Sequence, residues 1–100
     1  MEELKIVGVE NGALHIALSG DIDLGNAEEF YQTVVGAYDN THLEFDCADL
    51  NFIDSTTLGT FVKILKAVKS QGKTLKLTAL QSKIKKLFLI CSLDSIMQLD

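Results

Sequence analysis

The chain has 100 residues, of which 47% are apolar and 23% charged, and its net charge is −5. That length suits one compact domain, 1–100, and the charged fraction is that of a folded domain rather than a disordered one. The acidic balance and the complete absence of Arg argue against nucleic acid and anionic lipid as partners, since both demand a basic face.

The longest unbroken apolar run, Leu87 to Cys91, is five residues, against about 20 for a membrane-spanning helix. The N-terminus opens Met1-Glu2-Glu3 without a basic segment and apolar stretch, so a cytoplasmic location with no direct membrane insertion is expected. In that compartment Cys47 and Cys91, both in apolar surroundings, are expected as buried, reduced thiols. Charge is split along the chain. Residues 1–50 carry eleven acidic side chains and one Lys, whereas residues 51–100 carry eight Lys and three Asp.

Leu4 to Val9 and Leu14 to Ser19 are apolar and β-branched runs separated by Asn11-Gly12, the preferred two-residue hairpin turn. After Gly20 the period changes to that of a helix. Ala27, Phe30, Tyr31, Val34, Val35 and Tyr38 predict a first helix over about 24–38, with Asp23 as its cap. Leu43, Phe45 and Cys47 alternate as a strand. Leu58, Phe61, Val62, Leu65 and Val68 mark a second helix closed by Gly72. Leu75, Leu77 and Ala79 form the next strand. A third helix starts at Ser82 as cap, with Ile84, Leu87, Phe88 and Cys91 as its buried stripe, and a short strand over 96–99 ends the chain. The order ββαβαβα predicts an α/β domain: a mixed sheet opened by a hairpin and packed with three to four helices.

The stretch from Asp49 to Gly59 runs from a strand end into the second helix. Asp54, Ser55, Thr56 and Thr57 are four consecutive capping-type residues. A helix start needs one of them, as Asp54 or Ser55 at the N-cap, which leaves hydroxyls on an exposed turn. Ligands of open sheets gather beyond the C-terminal ends of parallel strands, where this turn would lie.

Phe52-Ile53-Asp54-Ser55-Thr56-Thr57-Leu58-Gly59 resembles the D-S-[ST]-G-L-G signature of the STAS domain, especially of bacterial anti-sigma-factor antagonists. Gly20-Asp21-Ile22-Asp23 resembles the family's G-x-[IL]-D turn before its first helix. Gly72 to Leu77 is similar to its G-x-x-L-x-[LV] strand, and Leu87 to Asp94 to its closing helix and turn. The segments follow in the family's order over nearly the whole chain. Thr57 departs from the pattern, standing where most members carry Gly, and is expected to add a branched side chain beside Ser55 that alters the approach of a partner.

The resemblance implies a non-enzymatic regulatory domain with no cofactor, no catalytic residue and no metal. Unphosphorylated, it would hold an anti-sigma factor that is also an ATP-binding serine kinase, and so free a sigma factor. Phosphorylation at Ser55 would release that partner, and a phosphoserine phosphatase would reset the switch. The resemblance places Asp21, Asp23, Asp54, Ser55, Thr56, Thr57, Leu58 and Gly59 on the docking surface. A phosphate at a helix N-terminus gains about 0.3–1 kcal/mol from the dipole, so the free fold tolerates it. Inside a docked interface, repulsion from Asp54 and loss of hydration reverse the balance. The alternative within the same family is a STAS-type cytosolic subunit of a lipid-transfer ABC transport complex with no phospho-switch.

Other chemistries are weaker. A receiver-type phosphoacceptor Asp54 conflicts with the opening hairpin, and no Lys follows Lys86. A hydrolase built from Ser55, His15 or His42, and Asp49 has no G-x-S-x-G elbow. Cys47, Cys91, His15 and His42 have no zinc-ligand spacing. Lys63, Lys66 and Lys69, three apart, are read as a solvated helix face, with pairing to acidic residues of a partner as the alternative.

Overall fold

In the computed structural model, which describes all residues 1–100, the elements follow in the order β1 (Leu4–Glu10), β2 (Ala13–Ile22), α1 (Ala27–Ala37), β3 (His42–Ile53), α2 (Ser55–Ser70), β4 (Leu75–Thr78), α3 (Ser82–Ile90), a 3-10 turn (Leu93–Ser95) and β5 (Gln98–Leu99). The sheet order is β1-β2-β3-β4-β5. β1 and β2 are antiparallel, and β2–β3, β3–β4 and β4–β5 are parallel. The expected mixed sheet, opening hairpin and three helices are all present. Asn11 at φ 55° and Gly12 at φ 77° turn the hairpin, the paired positive φ that a two-residue loop requires.

One face of the sheet carries the core. Leu14, Ile16 and Leu18 of β2, Leu43, Phe45 and Cys47 of β3, and Leu75 and Leu77 of β4 are buried. The residues between them, such as His15, Glu44 and Lys76, lie on the other face. There His15 approaches Glu44 at 3.9 Å, and Lys76 pairs with Asp100 at 3.2 Å. Apolar stripes of the helices cover the buried face. Phe61 of α2 stands at its centre, with ring centroids 5.2 Å from Phe30, 5.5 Å from Phe45 and 5.5 Å from Phe88. Edge-on rings at these spacings add attraction beyond area burial.

β3 is longer than its alternation suggested. It runs to Ile53 with two register shifts against β2, at Ala17/Ser19 and Gly20/Asp21, each placing an extra residue on β3. The first lets Ala48 and Asp49 both face solvent while Leu50 returns to the core. The second coincides with Gly20 at φ 67°, a conformation that costs glycine little.

The other differences lie at helix ends. α1 begins at Ala27, not near 24, because residues 23–26 form a separate hydrogen-bonded turn. Gln81, not Ser82, occupies the N-cap of α3, without a side-chain bond. Of the stripe expected on α3, Ile84 and Phe88 are buried and Leu87 partly so, but Cys91 lies past the last helical residue and is exposed. Cys47 is fully buried, and burial beside Asp46 pushes its thiol up to about 12, so it stays protonated and inert. A thiol reagent should therefore label Cys91 within the native protein and Cys47 only on unfolding; mass mapping of labelled peptides with and without denaturant checks this.

Candidate functional site

Because β2 and β3 are parallel and pair Ile22 with Ile53, the two chain reversals that follow them emerge side by side. One is the β2–α1 turn, residues 23–26; the other is the junction of β3 with α2 at Asp54. Asp54 is the N-cap of α2, extended at φ −113° and ψ −176°. Its Oδ1 accepts the Thr57 N–H at 2.9 Å, and its Oδ2 accepts the Leu24 N–H at 2.9 Å. A single carboxylate therefore caps the helix and holds the neighbouring turn.

The Thr57 hydroxyl completes the connection. It donates to the Ile22 carbonyl at 2.6 Å, with Asp54 Oδ1 also within 3.0 Å. Thr57 is 0% exposed. The expectation that it projects beside Ser55 into a partner's path is therefore wrong: its branched side chain points inward and ties α2 to the end of β2. The same burial removes Thr57 from the docking contacts and from the accessible phosphoacceptors. Donation from the Thr57 backbone, more than any other cause, holds the Asp54 carboxyl below its ordinary value; the Thr57 hydroxyl and the Leu24 N–H add to this, and desolvation works against it. A folded-state value below the unfolded one means that this contribution to stability is present at neutral pH. It is lost as pH falls through the folded value.

Ser55 and Thr56, the first two residues of α2, are exposed, and neither hydroxyl bonds to any other group of the chain. Two free hydroxyls thus stand at the positive end of a 16-residue helix. The neighbouring turn is closed by its own bonds. Asn26 Oδ1 accepts the Asp23 N–H at 2.8 Å, Asn26 Nδ2 donates to the Asp21 carbonyl at 3.0 Å, and Asp23 Oδ1 accepts the Gly25 N–H at 2.9 Å. The Asp23 carbonyl takes the Ala27 N–H at 2.8 Å. Asp23 thus shapes the entry to α1 through its carbonyl, and Asn26, not the Asp23 side chain, stands at the N-cap. Asp21 is exposed.

A groove of about 380 Å³ opens between the start of α1 and the first two turns of α2, lined by Leu24, Ala27, Glu28, Thr56, Gly59, Thr60 and Lys63. Leu24 is 76% exposed at its rim. Lys63 is the one cation there, and its Nζ sits 4.7 Å above the Tyr31 ring. Leu58 packs partly against the core. Of the sequence-expected residues, Asp21, Asp23, Asp54, Ser55, Thr56 and Gly59 converge on this corner, whereas Thr57 faces away from it. Leu24, Glu28 and Thr60 were not foreseen. An apolar residue between Asp23 and Gly25, inside a turn rather than a helix, was the available signal.

Elsewhere, no group of three or more His, Cys, Asp or Glu side chains is placed to hold a metal ion. No helix is long and apolar enough to cross a membrane.

The family model of the STAS domain matches residues 5–100, and the chain belongs to that family. It is 33% identical over 87 residues to the anti-sigma-B factor antagonist of Bacillus subtilis, covering 86% of this chain and 80% of that one. An anti-sigma factor antagonist from Mycobacterium paratuberculosis superimposes with a TM-score of 0.83 at 17% identity, over 98% of this chain and 86% of that one. SpoIIAA shares the fold in its unphosphorylated form (TM-score 0.73, 18% identity, 97% and 86% of the two chains) and in its phosphorylated form (0.74, 19%, 97% and 90%). The antagonist names of these relatives favour the regulatory reading over that of a transport subunit.

Replacing Thr57 by Val keeps the shape but leaves the Ile22 carbonyl without its donor. Urea unfolding should show a loss of about 1–3 kcal/mol, whereas Thr57→Ser, which retains the hydroxyl, should recover most of it.

Proposed function

We propose that this chain is an anti-sigma-factor antagonist of the partner-switching kind, with Ser55 as its phosphoacceptor. The observation that carries the reading is the Ser55 hydroxyl: exposed, unbonded and next to an Asp54 carboxylate that accepts two backbone N–H donors, from Thr57 and Leu24, and is held below its ordinary pKa. The protein acts by binding rather than by catalysis. Its partner is an anti-sigma factor that is also an ATP-binding serine kinase, held when Ser55 is free, so that a sigma factor is released in the cytoplasm.

Transfer forms a bond from Ser55 Oγ to the γ-phosphorus of ATP, breaks the bridging bond to ADP and releases the hydroxyl proton. A phosphoserine phosphatase reverses the mark by hydrolysis. The added charge of about −1.5 to −2 lands at a helix N-terminus, where the free fold accepts it. In the docked state it faces the fixed Asp54 anion and loses its water, and both effects disfavour the complex. Asp21, Asp23, Glu28 and Asp54 make this corner acidic before any phosphate arrives, which fits a partner with a basic docking face. Leu24 and the bare backbone at Gly59 supply the apolar contact.

Binding to the cognate anti-sigma factor, measured by calorimetry, tests the switch. Ser55→Ala should bind as wild type does, and Ser55→Asp should bind at least tenfold more weakly with unchanged thermal stability. Equal affinity of the two variants would leave Ser55 as a helix residue and restore the transport-subunit alternative. Phosphopeptide mapping after incubation with the kinase and ATP should find Ser55 and never Thr57.

Gly59 supplies an independent test of the docking face. It has no positive φ, and a Cβ built there meets nothing within 4 Å, so neither backbone nor packing requires glycine in the free protein. Gly59→Ala should stabilise the fold by roughly 0.5–1 kcal/mol through helix propensity while weakening anti-sigma-factor binding. Gain in thermal stability without loss of affinity would remove Gly59 from the interface.

A further inference from the structure

β1 is an edge strand whose outer side pairs with nothing, and three of its residues are apolar and open: Val7 is 62%, Val9 54% and Ile6 41% exposed. Its register with β2 shifts between Ile6 and Gly8, so Val7 is an extra residue. Ile6 and Val9 pair with Ile16 and Leu14 and lie on the helix side of the sheet, whereas Lys5 and Glu10 pair with Ala17 and Ala13 and lie on the open side. Without the bulge, Lys5 and Glu10 would fall on opposite faces, because an odd separation changes face along a regular strand. The extra residue brings both charges to one face and both apolar side chains to the other.

The backbone follows the same logic. The Ser19 N–H bonds to the Glu3 carbonyl at 2.9 Å, so by ladder alternation Lys5 turns its polar groups to β2 and Ile6 turns its own outward. From the other end, the tight turn after Glu10 directs that residue to β2 and Val9 outward. Measured against β2, Ile6 and Val9 are two residues apart, Ile16 to Leu14, which is the spacing of consecutive hydrogen-bonding positions on a free edge.

We infer that β1 is a self-complementary edge that pairs antiparallel with β1 of a second copy, joining two sheets into one about a two-fold axis between Val7 and Gly8. In this register Ile6 faces Val9 of the second copy, and Val9 faces its Ile6. Each of these pairs exchanges backbone hydrogen bonds and covers apolar surface. Lys5 faces Glu10 of the second copy twice over, at positions where cross-strand side chains come closest. An edge lysine ordinarily guards against such pairing; here Glu10, at the symmetry-related position, neutralises that guard in one register only. A slip of one residue sets Lys5 against Val9 on opposite faces and loses both ion pairs. The contact is isologous and therefore closes at two copies. Antiparallel joining points the two Ser55 corners in opposite directions, so each copy keeps its own docking face, and the inference stands apart from the proposed switch.

Sedimentation equilibrium of the full chain under reducing conditions, from micromolar to millimolar concentration, is the test. The wild type should associate reversibly as a dimer. Because each substitution acts twice by symmetry, Lys5→Glu and Glu10→Lys should each weaken the dimer roughly tenfold or more. The double charge exchange should restore it, and Val9→Lys should abolish it. Circular dichroism should be unchanged throughout, since all three side chains are exposed. A wild type that stays monomeric at millimolar concentration overturns the inference. So does a dimer indifferent to the single reversals, or one that the double exchange fails to rescue.

Discussion

The carboxylate of Asp54 is the group on which this corner of the molecule depends. Parallel pairing of β2 with β3 delivers two strand ends to one place, and each end leaves backbone groups that the ladder no longer satisfies. Asp54 accepts one N–H from its own helix and one from the neighbouring turn, while Thr57 gives its hydroxyl to the last carbonyl of β2. Two loops that are about 30 residues apart in sequence thereby share one anchor. No buried side-chain N or O atom in the protein is left unpaired, and this corner is closed by internal bonds.

In the proposed switch, that closure separates folding from switching. The core is held by Phe30, Phe45, Phe61 and Phe88 and by alternating aliphatic residues of three strands, all remote from Ser55 in their chemistry. The Ser55 and Thr56 hydroxyls bond to no other group of the fold, so adding charge at the Ser55 oxygen breaks no side-chain hydrogen bond. A modification that left stability unchanged would act only on what docks outside, which is the requirement for a reversible mark on a small domain of limited stability. SpoIIAA in its unphosphorylated and in its phosphorylated form shares the fold of this chain.

Most of the architecture was legible in the sequence because its cues are local. Asn11-Gly12 specifies a hairpin through positive φ, and the three- and four-residue spacing of Leu58, Phe61, Leu65 and Val68 specifies α2. What escaped was set by tertiary contact. The extension of β3 to Ile53 depends on two bulges that break its alternation, so the pattern faded at Ala48 while pairing with β2 continued. Cys91 continues the helical spacing of Ile84 and Phe88, but α3 ends at Ile90 and the position falls outside the buried stripe. The inward turn of Thr57 was hidden for another reason: four adjacent polar residues look alike until the Ile22 carbonyl, 35 positions away, chooses one of them.

Thr57 and Gly59 show how the same short segment answers two demands. Glycine at 57 would leave the Ile22 carbonyl to find another donor, and would lower helix propensity in the first turn of α2. Threonine supplies the hydroxyl and rigidifies the junction while adding nothing to the outer surface. At Gly59, two residues on, there is open space on every side that a Cβ could occupy, yet the position remains bare in the wall of the groove. The helix thus takes a stabilising side chain where it faces inward at Thr57 and forgoes one where it faces outward at Gly59. Under the proposed function, the close approach of a partner to Gly59, beside the Ser55 hydroxyl, accounts for both choices with one docking event.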